Sequence, residues 1–139
     1  MFAAKYIGNP DNYIELRDKL VAGDSLELVP GNYLRGLRIS NLHGEPAKHI
    51  VIYSATLHEA VLIARTNSNT ADIYNSSYIT IDGLQFDGKN YDNIDGIKAG
   101  GAASNYAHNI HIINNLIVGH GANQQTVGIS TKIPCWDWL

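Results

Sequence analysis

The chain has 139 residues, a formal net charge of −3 and a single cysteine, Cys135. This length accommodates one domain, 1–139, and the charge gives no basic excess to attract nucleic acid or a membrane surface. One cysteine excludes an internal disulfide and a cysteine-based zinc cluster. We find neither a run of roughly 18 apolar residues, as a membrane span requires, nor a recognisable signal peptide. We therefore expect neither nucleic acid nor membrane as a partner.

One segment near the N-terminus, about residues 11–22, is predicted to be a helix. Pro10 suits the start of a helix, and Gly23 follows where a left-handed residue ends many helices. The apolar face, with spacing i, i+3, i+7, consists of Tyr13, Leu16 and Leu20. We expect this helix to cap a β domain that occupies about residues 25–139.

Beyond the predicted helix, the chain reads as short alternating strands separated by turns. Two segments, 76–88 and 108–120, repeat one apolar rhythm, with steps of 2, 3, 2 and 11 residues in the first and 2, 4, 2 and 11 in the second. The predicted inward positions are Ile79, Ile81, Leu84, Phe86 and Ile97, followed by Ile110, Ile112, Leu116, Val118 and Ile129. A repeat of this length indicates a stacked architecture.

Three short strands per repeat and no helix predict an all-β fold, a parallel β-helix. Each coil can bury its inward residues only against the equivalent residues of the next coil, so the alternation must recur. One interior column is predicted to contain Ile73, Ile97 and Ile129. The outward column on the same strands is predicted to contain Tyr74, Lys98 and Ser130.

Polar pairs mark the predicted bends between the second and third strands of a coil. They are Asp82-Gly83 and Asn114-Asn115, residue types that tolerate left-handed backbone. Stacked Asn side chains can hydrogen-bond along such a column, and Asn41 is a candidate to extend it.

The chain resembles the right-handed parallel β-helix proteins of the pectin-lyase-like superfamily, from about residue 10 to the end. The resemblance rests on the N-terminal helix followed by "AGDSLELVPGNY", and on "IYNSSYITIDGLQFDG", "HNIHIINNLIVGH" and "VGISTK". It implies a right-handed solenoid with an N-terminal capping α-helix. This superfamily contains polysaccharide lyases, glycoside hydrolases, epimerases and non-enzymatic adhesins, and most members are exported. The resemblance therefore implies a secreted or extracytoplasmic, polysaccharide-lyase-like protein that binds or cleaves acidic polysaccharide.

Members of the superfamily usually have more coils than this chain. The final "CWDWL" looks like a strand with Trp136 and Trp138 alternating, but no bend or third strand follows. We expect the N-terminal part of a longer protein, inactive by itself, whose open C-terminal coil self-associates because an uncovered sheet edge pairs with another chain. The alternative is that the tryptophans fold back as a local cap.

In superfamily enzymes, sugar binding and catalysis gather on the sheet made by the first strand of each coil. A lyase needs a base for the proton α to a uronate carboxylate and a cation to stabilise the enolate. "GISTK" is similar to the stretch that carries the catalytic lysine in the chondroitinase-B and alginate-lyase family, which implies Lys132 as the base and Lys98 as a second candidate one coil below. No carboxylate precedes Lys132 and no arginine partner is visible, so a solvated surface lysine is the alternative.

The remaining candidates come from the same strands and the loops beside them. For substrate binding they are Tyr74, Ser130 and His120. Asp92 and Asp95 are candidate ligands of Ca²⁺, the one cofactor considered; turn formation by Asp-Gly pairs is the alternative explanation for these acids. His108 and His111, at i and i+3 on a strand, are predicted to face opposite sides and to be poor joint metal ligands.

Two further function classes compete with the lyase. The first is a non-enzymatic glycan-binding or structural β-helix module that presents Tyr and Asn side chains. The second is a self-associating scaffold. The motif "GHG" at 119–121 is similar to one in polygalacturonases, but the chain has no adjacent aspartate pair of the kind those hydrolases use as acid and base.

Overall fold

The computed structural model describes residues 2–100, 106–121, 127–131 and 135–139. This part of the chain contains one short helix and fourteen strands. In chain order they are β1 (Lys5–Gly8), α1 (Tyr13–Arg17), β2 (Ser25–Leu28), β3 (Gly31–Tyr33), β4 (Leu37–Ser40), β5 (Ile50–Ser54), β6 (Ala60–Ile63), β7 (Ala71–Tyr74), β8 (Ser76–Asp82), β9 (Gln85–Asp87), β10 (Ile97–Ala99), β11 (Ala107–Ile113), β12 (Leu116–Val118), β13 (Ile129–Thr131) and β14 (Cys135–Trp138).

The strands form three parallel sheets that wind as a solenoid. Sheet 1 has the order β1-β2-β5-β8-β11-β14, sheet 2 the order β3-β6-β9-β12, and sheet 3 the order β4-β7-β10-β13. The chain visits sheets 1, 2 and 3 in turn and then returns to sheet 1 one rung along. Four coils result: β2–β4, β5–β7, β8–β10 and β11–β13. The predicted fold class, a parallel β-helix, is confirmed.

The core lies inside the coils, where apolar side chains of successive rungs stack. The inward columns are Leu26, Ile52, Ile81 and Ile112 in sheet 1, Tyr33, Leu62, Phe86 and Ile117 in sheet 2, and Leu37, Ala71, Ile97 and Ile129 in sheet 3. Most of these side chains are fully buried. Burial of this apolar surface is the main stabilising contribution to such a fold.

The sheet 3 column corrects the predicted stacking of isoleucines. Ile97 pairs with Ile129, but its partner below is Ala71, whereas Ile73 stacks between Ile39 and Ala99. The strands are shifted by two residues relative to the prediction. A shift of two keeps every side chain on its face of the sheet, so alternation alone could not detect it.

The alignment of coils 3 and 4 was also wrong in its second half. Registered partners lie 31 residues apart throughout, from Ser76–Ala107 to Asp87–Val118. Phe86 therefore stacks on Ile117 and not on Val118. Asn115 takes the place that Leu84 holds in coil 3, and its side chain accepts a hydrogen bond from the Leu84 N–H at 2.8 Å.

Helix α1 is shorter than predicted, at five residues. Beyond it, the Lys19 and Leu20 N–H groups bond to carbonyls three residues back (3.1 and 3.2 Å), a tighter turn that brings Leu20 into the core. Gly23 has the predicted positive φ (89°), but its N–H donates to Lys48 O across the next coil. No helix in the described residues is long and apolar enough to cross a membrane.

Asparagines stack at two different corners, not in one column. Asn75 donates to Asn41 at 2.6 Å between sheets 3 and 1, so the prediction that Asn41 extends the other column is wrong. Between sheets 1 and 2, Asn114 donates to Asp82 at 3.0 Å and Asn115 donates to Ile81 O at 2.9 Å. Asn41, Asn75 and Asn114 all have positive φ, as their residue type allows.

Candidate functional site

The outer face of sheet 3 presents one polar side chain from each rung. The column is Arg38, Asp72, Lys98 and Ser130. Lys98 and Ser130 are neighbours as predicted. Tyr74 is not in this column: it pairs with Ser40 one step along the strand, a consequence of the two-residue shift. Rungs lie about 4.8 Å apart, so the column forms a continuous polar strip along the solenoid.

Asp72 and Tyr74 are joined to each other and to a neighbouring loop. Asp72 Oδ1 accepts hydrogen bonds from Asn69 Nδ2 (2.9 Å) and the Tyr74 hydroxyl (3.1 Å). Burial raises the pKa of the Tyr74 phenol, and the Asp72 carboxylate raises it further. The Arg38 guanidinium lies over the Tyr74 ring, with its Cζ 5.4 Å from the ring centroid. Tyr74 is thus a neutral hydrogen-bond donor that also supports Arg38.

Three of the four arginines in the chain converge at the end of this strip. They surround a cavity of about 30 Å³ lined by Arg35, Leu37, Arg38, Arg65, Ser68, Asn69, Thr70 and Asp72. We name Arg35, Arg38 and Arg65 the arginine cluster. The sequence analysis missed it, because it considered strand positions and two of these residues lie at corners. Their spacing was the available signal: Arg35 and Arg65 are 30 residues apart, close to one coil repeat.

The corner that carries Arg35 is held by the core. Gly36 has φ 59°, and a Cβ there would collide with the Thr70 carbonyl oxygen. The buried Tyr13 hydroxyl donates to Gly36 O at 2.8 Å, and burial raises the pKa of Tyr13, so this donor stays protonated. Helix α1 therefore positions the corner beside the cluster.

The corner that carries Arg65 is a hydrogen-bonded β-turn. The Ser68 N–H donates to Arg65 O at 3.1 Å, and Asn67 has the positive φ (61°) that such a turn requires. The following residue, Asn69, reaches two neighbours: it donates to Asp72 and accepts from the Asp95 N–H at 2.8 Å. Both corners are thus built into the stacking of the coils.

Asp95 serves the stacking of the loops that lead into sheet 3. Its carboxylate accepts hydrogen bonds from the Ser130 hydroxyl at 2.6 Å and from the Val127 N–H at 3.3 Å. Asp92 lies apart in an open depression with Tyr91, Asn90 and two residues of the preceding coil. Among the described residues, no three His, Cys, Asp or Glu side chains group as a metal site. This arrangement does not favour a joint Ca²⁺ site at Asp92 and Asp95, and that site stays a prediction.

His120 packs among these loops instead of extending over sheet 3. Its Nε2 lies 2.7 Å from the hydroxyl of the fully buried Thr70. Burial lowers the pKa of His120, although the carboxylates of Asp87 and Asp95 partly offset this. Burial alone would raise the pKa of Asp87, but its interactions with Lys89, including an ion pair (2.9 Å), make the net shift downward. This position suits loop packing, and substrate binding by His120 stays a prediction.

We expect the protein to lose stability as the pH falls below about 6.5, the ordinary pKa of histidine. His49 and His120 have lowered pKa values in the folded protein, so the unfolded chain binds protons more readily than the folded one in this range. Their contribution is complete above the unfolded pKa and is lost as the pH falls towards the folded pKa. Urea unfolding between pH 8 and pH 5 measures this.

The matched variant for this titration is His120→Gln, which keeps a polar group near Thr70 but cannot titrate. Its stability should vary less with pH than that of the unaltered protein. An identical pH dependence in both proteins would contradict the role given to His120.

A second group of rings lies on the outer face of sheet 1. His49 is 4.7 Å from His111 and 5.7 Å from Tyr78, and Tyr78 is 5.6 Å from His108, measured between ring centroids. His108 and His111 thus belong to one outward group, and the expectation that they face opposite sides was wrong. The left-handed residue Asn109 (φ 53°) between them breaks the strand alternation.

The largest depression, of about 530 Å³, lies away from sheet 3, between the N-terminal segment and the loop before β5. Asp24, in its wall, accepts hydrogen bonds from the Ala4 and Val21 N–H groups (2.8 and 3.0 Å). Its polar groups therefore serve to hold the chain together. Lys132, the predicted base, lies outside the described residues.

Comparison with known proteins gives one informative likeness. No protein-family description matches the chain, and no curated protein matches it. Among solved structures, a mannuronic acid specific polysaccharide family 6 lyase from human gut microbiota superposes with a TM-score of 0.65 and 20% identity. The likeness shows the fold. It covers 87% of this chain and 27% of that lyase, so the chain corresponds to about a quarter of the length of that enzyme.

Proposed function

We propose that this chain forms the N-terminal coils of an exported, polysaccharide-lyase-like β-helix protein that binds acidic polysaccharide along the outer face of sheet 3. The observation that carries the proposal is the outward column of Arg38, Asp72, Lys98 and Ser130, with two further arginines at its end. Cations in a polar strip attract a polyanion, and the structurally similar lyase acts on a uronic acid polymer. The chain's net charge of −3 makes this local excess of cations more informative.

Within this proposal the residues of sheet 3 take separate roles. Lys132 is the base that removes the proton α to the uronate carboxylate, and Lys98 is the second candidate for it. Tyr74 and Ser130 supply hydroxyl groups for sugar contacts. Arg38 lies two rungs from Lys98, about 9.6 Å, too far to stabilise an enolate formed beside Lys98. We therefore expect the 139-residue chain to bind polymer without cleaving it.

The test of binding compares polymannuronate with neutral mannan by titration calorimetry at low salt. We expect binding to polymannuronate only, and about tenfold weaker binding for Lys98→Ala, since one charged contact contributes roughly 1.4 kcal/mol. The matched control is Lys48→Ala, because Lys48 is an exposed lysine in the loop before β5, away from sheet 3. Equal affinities of the two variants, or no binding to the acidic polymer, would contradict the proposal.

A non-enzymatic glycan-binding module or a self-associating scaffold is the alternative, and the absorbance of unsaturated product distinguishes it from the lyase. In a longer protein that contains these coils, product formation from polymannuronate favours the lyase. Binding to the polymer without product favours the glycan-binding module, and self-association without polymer binding favours the scaffold.

A further inference from the structure

We propose that the arginine cluster of Arg35, Arg38 and Arg65 is a subsite that binds the carboxylate of one uronate unit of the polysaccharide. This inference rests on the proposed function and adds a defined contact to it. It assigns the cluster to substrate binding, separate from the chemistry proposed at Lys132 and Lys98.

The size of the cavity matches a carboxylate. A space of roughly 10–15 Å³ holds one water-sized group, so a cavity of about 30 Å³ accommodates about two oxygen atoms. Its wall also includes the side chains of Ser68 and Asn69, which can hydrogen-bond to the ring hydroxyls of a sugar. A whole sugar ring does not fit, so the ring must lie outside, against the face of sheet 3.

The charges around the cavity favour one added anion. Three guanidinium groups face one acid, Asp72, whose Oδ1 already accepts two hydrogen bonds. None of the three arginines forms an ion pair within 4.0 Å among the described residues, whereas Arg17 is paired with Asp18 at 2.8 Å. Guanidinium groups match the two oxygens of a carboxylate in geometry as well as in charge.

The cluster is positioned before any ligand arrives. Arg35 follows the corner fixed by Gly36 and Tyr13, Arg65 begins the turn closed by Ser68, and Arg38 lies on the Tyr74 ring. Little backbone ordering is therefore required on binding, which favours affinity. Arg38 and Lys98 share one outward column, so a polymer lying along the solenoid can reach both.

The test measures the affinity of Arg35→Gln, Arg38→Gln, Arg65→Gln and the triple variant for polymannuronate and for dextran sulfate. The control is Arg17→Gln, which removes the same charge from the paired arginine. We expect about a tenfold loss for each cluster variant with polymannuronate, a larger loss for the triple variant, and less than a twofold change for the control. Losses with dextran sulfate should be smaller, because a sulfate does not match the planar cavity.

Arg38→Lys tests the hydrogen-bond geometry, because it keeps the charge and removes the fork of donors. Its affinity should fall between those of Arg38→Gln and the unaltered protein. Equal losses for both polymers, or full affinity in Arg38→Lys, would overturn a carboxylate subsite in favour of general charge attraction.

The same series separates the two proposals. If Lys98→Ala weakens binding and the arginine variants do not, the subsite is wrong and the proposed function stands. If the unaltered protein does not bind polymannuronate, both proposals fall. Thermal unfolding of each variant verifies folding, which we expect to be retained because all three side chains are exposed.

Discussion

The substitution Gly36→Ala is expected to lower the free energy of unfolding by at least about 3 kcal/mol. Gly36 has a left-handed backbone (φ 59°), which disfavours any residue with a Cβ, and the added methyl group would collide with the Thr70 carbonyl oxygen. Relief requires the corner to move away from the next coil, which would break the Leu37 N–H to Thr70 O bond (2.9 Å) and the Tyr13 hydroxyl bond.

Urea unfolding measures this effect, and Gly121→Ala is the control. Gly121 lies in another loop, and a Cβ there would meet nothing within 4 Å. Its substitution should change the free energy of unfolding by less than about 0.5 kcal/mol. If both variants unfold at the same urea concentration, the tight contact between the Gly36 corner and Thr70 is wrong. Because the same corner carries Arg35, Gly36→Ala should also weaken binding of polymannuronate.

The second large effect is expected for Phe86→Ala, at about 3–5 kcal/mol. Phe86 is fully buried and stacks between Leu62 on one coil and Ile117 on the next. Truncation leaves a cavity on both sides, which a stack of short strands cannot close without changing its rung spacing. The loss includes the transfer of the removed ring and the contacts of both neighbours.

Leu57→Ala is the control for this core substitution, because Leu57 is 62% exposed. We expect it to change the stability by about 0.5 kcal/mol or less. Phe86→Leu, which keeps most of the apolar volume, should fall between the two. A similar cost for Phe86→Ala and Leu57→Ala in urea unfolding would mean that Phe86 does not lie in the column.

The fold could be predicted because each coil repeats the same burial. Inward positions such as Ile52, Ile81 and Leu62 alternate with polar neighbours in strand after strand, and the repeat has the length of one turn. Turn residues with left-handed backbone, such as Gly83 and Asn114, mark the corners. Local preference and the global fold agree at these positions, which makes them readable.

The register could not be predicted from alternation. A shift of two residues, as at Ile73, changes the neighbour above and below while the buried face remains the same. At Asn115, a polar residue occupies a rung that is apolar in the coil below, and it does so by bonding to the backbone of Leu84. Strand β1 was missed because only Gly8 in it is buried.

The candidate site was partly predicted for the same reason. Lys98 and Ser130 were placed together because adjacent rungs of one strand column are set by the repeat. Arg35 and Arg65 lie at corners, where the path of the chain depends on contacts of Gly36 with Tyr13 and Thr70 that lie far apart in sequence. Contacts of this kind cannot be read from periodicity.

The most direct test of the account is a crystal structure of the protein with bound oligomannuronate. The account predicts an oligosaccharide lying along the outer face of sheet 3, with one carboxylate within hydrogen-bonding distance of Arg38 and at least one of Arg35 and Arg65. An oligosaccharide bound on another face, such as the ring group of His49 and Tyr78 on sheet 1, would contradict it.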